Sequence, residues 1–261
     1  MRLRDKVLLV TGSTTGIGEA IARAAVAEGA RVVLHGTRRA AGDALADELN
    51  AAAPGTAHFV QADLADPAAA PDLIEAAIAF GGGRLDALVN NAAIMTRGGL
   101  AETDADAFDR VVAVNLRAPL LLVRAAWPHF RERGGGRVLV IGSINAHCGE
   151  SSQLAYSISK AGLVTMTRNL ADAHAAEGLR INCLNVGWTL TENEYALKIR
   201  EGLPENWPDN LSPHFAPSGR LLQPAEIGAA AMYFLSDDAA LLNGGVLDFE
   251  QFPVVGRNPP K

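Results

Sequence analysis

Tyr156 and Lys160 stand four residues apart in Tyr156-Ser157-Ile158-Ser159-Lys160, and Ser143 lies upstream. On a helix, positions i and i+4 project from one face. A free phenol ionises near pH ~10 and is a poor acid or base at neutral pH. A cation beside it favours the phenolate and brings it toward the working range. A serine hydroxyl within reach can hydrogen-bond a carbonyl or alcohol oxygen. Together the three describe a proton-transfer site. Tyr-x-x-x-Lys also occurs on ordinary surface helices, so its meaning depends on the elements that carry it.

Those elements alternate. Short apolar runs at 7–10, 31–35, 57–61, 87–90, 137–141, 180–184 and 246–248 read as strands. Alanine-rich stretches near 17–29, 39–52, 67–80, 104–133, 154–177 and 224–235 read as helices. Strictly alternating strands and helices predict right-handed βαβ units and a parallel sheet. Runs such as Val7-Leu8-Leu9-Val10 are continuously apolar, as strands covered on both faces must be. The expected architecture is one α/β, Rossmann-type doubly wound domain over 1–261, with helices on both faces of the sheet. From 188 to 219 the rhythm stops. Pro204, Pro208, Pro213 and Pro217 fall there with one short helical piece and no strand pattern, which predicts a substrate loop or lid.

The first strand runs into Thr11-Gly12-Ser13-Thr14-Thr15-Gly16-Ile17-Gly18, which opens the first helix. Glycines at such a junction allow a tight turn and close backbone approach to a pyrophosphate seated on the helix N-terminus. The spacing Gly-x-x-x-Gly-x-Gly differs from the Gly-x-Gly-x-x-Gly dinucleotide fingerprint.

Thr-Gly-x-x-x-Gly-Ile-Gly, Asn90-Asn91-Ala92-Ala93, Asn115, Ser143 and Tyr156-x-x-x-Lys160 together resemble the short-chain dehydrogenase/reductase family, from Lys6 to about Asp248, in order and spacing. The resemblance implies a seven-stranded parallel sheet, a nicotinamide cofactor and a homotetramer. It also implies roles. Tyr156 exchanges a proton with the substrate, Lys160 tunes it, Ser143 orients the substrate oxygen, and Asn115 holds a water that connects Lys160 to solvent. The implied cofactor contacts are Gly12, Ser13, Thr15, Gly16, Ile17 and Gly18 in the loop, then Thr37, Arg38, Asp63, Leu64, Asn90 and Ala92. Tyr156, Lys160, Gly187 and Thr189 complete them, with Thr191 nearby. Asp63 would meet the adenine amino group and Asn90 the adenosine ribose. Two positions depart from the family pattern. Ala93 replaces a glycine, which predicts an altered turn. Val186-Gly187 replaces Pro-Gly, and the glycine is kept.

An acidic residue at the end of the second strand binds ribose hydroxyls and repels a 2′-phosphate. Here Gly36 stands at that position, followed by Thr37 and Arg38, and an arginine fork suits a phosphate. This favours NADP(H) over NAD(H). Arg38 and Arg39 read equally as solvated charges at a helix start, and no basic residue occurs within 13–15. Asn145, His147, Glu150, Trp188 and Asn193 are the candidate substrate contacts, and their polarity favours a sugar or polyol. His147 and Cys148 are adjacent, but no second pair completes a metal site.

The leading reading is an NAD(P)-dependent oxidoreductase interconverting an alcohol and a carbonyl. The other is a non-catalytic NAD(P)-binding regulator of the same fold, whose signature would be a lost catalytic residue. The composition narrows partners to small molecules. A net charge of −6 speaks against nucleic acid. Two cysteines make no disulfide framework. The opening apolar run is too short for a signal or membrane segment, which predicts a cytoplasmic protein with no membrane partner. The tail to Lys261 either reaches a neighbouring subunit's pocket or is a frayed end.

Overall fold

Seven runs of Val, Leu and Ile form the parallel strands of one sheet: β1 (Val7–Val10), β2 (Arg31–Gly36), β3 (Ala57–Gln61), β4 (Ala87–Asn90), β5 (Gly136–Ser143), β6 (Leu179–Val186) and β7 (Val246–Phe249). In this computed structural model residues 1–254 are described; 255–261, the end of the tail, lie outside them. The strand order is β3-β2-β1-β4-β5-β6-β7, so the order reverses between β1 and β4. Helices α1 (Gly16–Ala27), α2 (Arg39–Ala52) and α3 (Ala69–Phe80) make the first crossovers. They are followed by α4 (Ala105–Val112), α5 (Ala118–Glu132), α6 (Asn145–Cys148), α7 (Leu154–His174), α8 (Glu192–Arg200) and α9 (Pro224–Leu235).

The sheet is buried on both sides. Ile21, Ala25, Leu45, Leu49 and Ile227 from α1, α2 and α9 pack with Leu8, Val10 and Leu34 on one face. Leu73, Ile74, Leu122, Phe130 and Leu163 from α3, α5 and α7 pack with Leu9, Leu88 and Val140 on the other. Adjacent residues of one strand thus enter opposite cores, which is why the strands read as unbroken apolar runs. Burying each such side chain stabilises by about 1.5–3 kcal/mol.

Three features differ from the sequence reading, and each bears on the site. β5 and β6 run on to Ser143 and Val186, which pair in register, so Ser143 is a strand terminus rather than a loop residue. The helix expected over 104–133 is interrupted by a π-helical turn, Ala113–Arg117, which carries Asn115. A wider turn of this kind re-aims side chains within a helix and concentrates at functional positions. The stretch 105–132 is long and apolar enough to cross a membrane by composition, yet half of its most apolar window is buried inside the fold. Finally, the turn at Ala93 is not strained: Asp5 is the one non-glycine residue at positive φ among the described residues.

The proline-bearing stretch has a core of its own. Trp207, Ala216 and Leu221 are buried, with Trp188, Leu190, Ile199 and Leu211 packed against them. Trp188 stacks on Trp207 at 5.8 Å, Tyr195 stacks on Trp207 at 6.2 Å, and Phe215 meets Trp188 edge-on. The sequence reading gave this region few internal ties, because aromatics scattered among prolines carry no period. At its ends Thr189 bridges Leu222, and Arg97 pairs with Glu201 at 2.9 Å, joining α8 to the loop after β4. The region is a packed flap on two anchors.

Trp207→Ala should therefore loosen the flap alone. Tryptophan-to-alanine truncation in a core costs about 3–5 kcal/mol, so amides in 190–221 should exchange on the order of 10²-fold faster or more. Equal acceleration in the central strands, read by hydrogen exchange, would show flap and sheet to be one cooperative unit.

Candidate active site

The end of β5, the π turn and α7 bring the expected catalytic residues together. Ser143 is 7% exposed, and its Oγ accepts the Asn145 amide at 3.2 Å. The Ser143 hydroxyl also hydrogen-bonds the Tyr156 phenol. Lys160, one turn further along α7, is 3% exposed. Its Nζ lies 5.4 Å from the Tyr156 ring centroid and donates to the Ile141 carbonyl at 2.8 Å. Burial pushes this ammonium down to about 8. Asn115 is used from both ends of its amide: Oδ1 accepts from Ile94 N–H at 2.8 Å, and Nδ2 donates to Ile94 O at 2.9 Å and Ser159 Oγ at 3.2 Å. The π turn thus clamps the chain that follows β4 against α7.

One electrostatic expectation is corrected. Burial pushes the Tyr156 phenol above its ordinary value; the Ser143 hydrogen bond opposes this, and Glu194 adds to it. Lys160 spends a proton on Ile141 and does not bond the phenol, so the tyrosine is a proton-loaded acid at neutral pH.

The strand-order reversal leaves a cleft of about 420 Å³. Its walls include Gly12, Thr14, Thr15, Gly16, Ile17 and Gly18 from the loop, and Gly36, Thr37 and Arg38 after β2. Asp63, Leu64, Asn91, Ala92, Arg110 and Val114 close the far side. The loop fits a dinucleotide phosphate. Gly12 sits at φ +63, where a Cβ would lie 2.8 Å from Ala92 Cα, and a Cβ at Gly18 would lie 2.3 Å from Gly12 O. Only bare backbone can fold this closely. Thr15, at the N-cap of α1, makes no side-chain cap, so no side chain answers the first-turn amides that face an anion there.

Several expected contacts sit elsewhere. Ser13 points inward: it is 0% exposed and its Oγ accepts the His35 amide, so Thr14 takes its place on the cleft. Asn90 is buried in β4, with Nδ2 reaching Pro119 O at 3.4 Å, and its neighbour Asn91 lines the cleft instead. Gly187 is covered by the tail, since a Cβ there would meet Glu250 Oε2 at 2.0 Å. Thr189 is buried and bonds the Gly187 carbonyl, whereas Thr191 reaches the cleft and packs over Gly16. Ser13 and Thr14, and Asn90 and Asn91, are adjacent residues that face opposite ways, and the sequence left the choice between them open.

The candidate substrate residues divide likewise. Asn193 lines the cleft. Asn145 donates to Gln153 Oε1 at 3.0 Å. His147 Nε2 lies 2.9 Å from Asp248 Oδ1 and 3.1 Å from Asn185 Nδ2, and one nitrogen cannot serve both contacts in one tautomer. Glu150 accepts from Ser151 and Ser152. Trp188 donates its indole N–H to Glu194 Oε1 at 2.8 Å. Among the described residues no cluster of metal-ligating side chains is found.

Two contributors went unread. Arg110 lines the cleft and pairs with Asp63 at 3.1 Å; the Ala65 amide, and after it Arg110, hold that carboxyl low. His35 ties three chain segments together. The Gly12 N–H donates to Nδ1 at 3.1 Å, Nε2 faces Ala62 O at 3.2 Å, and the His35 main chain bonds Ser13 in both directions. Those partners require the neutral Nε2–H tautomer. The only sequence signal was a lone polar residue ending an apolar strand beside the glycine turn.

Burial pushes His35 down to about 4 from 6.5. The unfolded chain binds this proton first as pH falls, so stability is lost between pH 6.5 and about 4. At 1.36 kcal/mol per unit the loss is about 3 kcal/mol. Urea unfolding of wild type and His35→Gln across that range should give the variant a lower midpoint at pH 7 and a shallower acid slope. Parallel slopes would remove His35 from the acid limb.

Comparison with known proteins follows this geometry. The profile of the short chain dehydrogenase family matches residues 6–201. D-threitol dehydrogenase of Mycolicibacterium smegmatis is 35% identical over 248 residues, covering 94% of this chain and 92% of that protein. A 3-oxoacyl (acyl-carrier-protein) reductase of Agrobacterium tumefaciens, solved with NADP bound, is 31% identical with TM-score 0.85, covering 94% of this chain and 93% of that one. A 3-ketoacyl-(acyl-carrier-protein) reductase of Brucella melitensis, complexed with NADH, is 30% identical with TM-score 0.82, covering 95% and 97%. The chain belongs to the short-chain dehydrogenase/reductase family and, with it, to the NAD(P)-dependent oxidoreductases.

Proposed function

We propose that this protein interconverts a secondary alcohol and a carbonyl on a sugar- or polyol-like substrate, with NADP(H) preferred. The observation that carries the chemistry is the hydrogen-bonded Ser143–Tyr156 pair with buried Lys160 beneath it. A nicotinamide, when bound, supplies or accepts the hydride. Tyr156 gives its proton to the carbonyl oxygen in reduction and takes it back in oxidation. Ser143 already points its hydroxyl at the phenol, so an oxygen shared by both is held and its developing charge stabilised. Lys160 has N–H groups beyond the one given to Ile141; these suit ribose hydroxyls, and its charge favours the phenolate when oxidation requires it. Asn115 keeps the 94-loop against α7. With all four residues present, nothing favours a non-catalytic regulator.

The cofactor preference rests on Arg38. Arg39 is engaged with Gln61 and Asp43, while Arg38 lines the cleft and its guanidinium has no protein partner among the described residues. Gly36 leaves no carboxylate to repel a 2′-phosphate, and a side chain there would meet Thr14 Cγ2 at 2.8 Å. The polyol preference is supported by the polar residues around the flap and by the activity named for the threitol relative. A homotetramer is supported by exposed apolar side chains on α5 and α7, Leu120 and Ile158, each 45% exposed.

Tyr156→Phe should keep fold and cofactor affinity and lower kcat by on the order of 10²–10⁴-fold. Near-normal turnover with a polyol panel would end the proton-transfer assignment.

Arg38→Ala should raise the Kd for NADP(H) about 10-fold or more, the worth of one charge-assisted contact, and leave NAD(H) nearly unchanged. Calorimetric titration with both cofactors decides this, and a wild type that binds NAD(H) more tightly would reverse the preference.

A further inference from the structure

Glu194 is the third residue of α8, on the flap. Thr191 caps that helix by accepting the Glu194 amide at 3.1 Å. The Glu194 carboxylate accepts the Trp188 indole N–H through Oε1 at 2.8 Å. Trp188 is itself fixed: its amide donates to Glu250 Oε2 at 3.1 Å and its ring stacks on Trp207. It follows the end of β6 by two residues, and β6 ends opposite Ser143. Glu194 is therefore held from its backbone and its head group at the sheet edge where Ser143 presents its hydroxyl. The other carboxylate oxygen, Oε2, has no hydrogen-bond partner among the described residues.

A second carboxylate, Glu250, holds the main-chain amide of the same Trp188. Lys198, one turn along α8, gives its ammonium to Glu201 at 2.8 Å and lies over the Trp188 ring. Lys160 lies 5.4 Å from the Tyr156 ring centroid and bonds Ile141. The field of Glu194 reaches the Tyr156 phenol and adds to the rise that burial produces. A half-buried, singly bonded carboxylate held at the strand edge that carries Ser143 is a strong acceptor and a poor neighbour for another anion.

Resting on the oxidoreductase reading above, we infer that Glu194 selects the substrate: its free oxygen accepts a hydroxyl or ammonium group close to the reacting carbon and rejects substrates that carry a carboxylate there. The class admitted is neutral polyols and cationic amino alcohols. The class refused is hydroxy acids and oxo acids.

Glu194→Gln tests this without removing the acceptor for Trp188, so the flap should stay closed. The ratio of kcat/KM for a neutral diol to that for the matching hydroxy acid should fall roughly 10-fold or more, the usual reach of one specificity contact. A second readout needs no turnover. The chain has three tyrosines, and tyrosinate absorbance, with Tyr156→Phe as the blank, should show Tyr156 ionising at lower pH in Glu194→Gln than in wild type. An unmoved titration overturns the proximity on which the inference stands. An unchanged substrate ratio with robust wild-type turnover overturns selection by Glu194 and leaves the oxidoreductase reading intact. A wild type inert toward both classes with both cofactors overturns that reading and this inference with it.

Discussion

A parallel sheet whose order reverses between β1 and β4 cannot be covered continuously, because the right-handed crossovers of its two halves leave toward opposite faces. The uncovered edge is where the carboxyl ends of the strands finish. The glycine loop after β1, Thr37 and Arg38 after β2, Asp63 after β3, Asn91 after β4 and Ser143 at the end of β5 all arrive there. Residues far apart in the chain become neighbours because each occupies the same place in its βα unit. The chemistry is thus assembled by topology, and the flap is the one piece added from outside that repeat.

The polar groups buried near this edge are held by geometry that leaves them little choice. Lys160 keeps its charge under desolvation by bonding a strand carbonyl, and Cys183 beneath it stays a neutral thiol, pushed up to about 12 by burial. Burial keeps His35 neutral, and the Gly12 N–H and the Ala62 carbonyl then fix which nitrogen holds its proton. Each arrangement turns a solvation cost into positional accuracy, since a buried donor that drifts loses its partner with no water to replace it.

Most of the sheet was legible in the sequence because its signals are local: apolar runs, glycines at helix ends, and a Tyr–Lys pair at helical spacing. The glycine loop was legible for the same reason. What escaped was set by tertiary context. The choice between Ser13 and Thr14, or Asn90 and Asn91, depends on which of two neighbours faces the cleft, and that between Thr189 and Thr191 on the bridge of Thr189 to Leu222; a single sequence fixes neither. The π turn at Asn115 is one extra residue in an otherwise regular pattern. Arg110 reaches Asp63 only after the chain has folded back across the cleft. The flap core uses Trp188, Tyr195, Trp207 and Phe215, whose spacing follows no helix or strand period.

That aromatic cluster has an optical consequence. The chain holds three tryptophans, and two of them, Trp188 and Trp207, stack within 14° of parallel inside the flap. Rings held in one fixed, asymmetric packing carry near-ultraviolet dichroism that is lost when that packing is lost. The third, Trp127, lies outside the flap, 4.6 Å from the His174 ring and packed against the core of α3, α5 and α7. The protein therefore carries a built-in reporter of whether the flap is packed, and it needs no label.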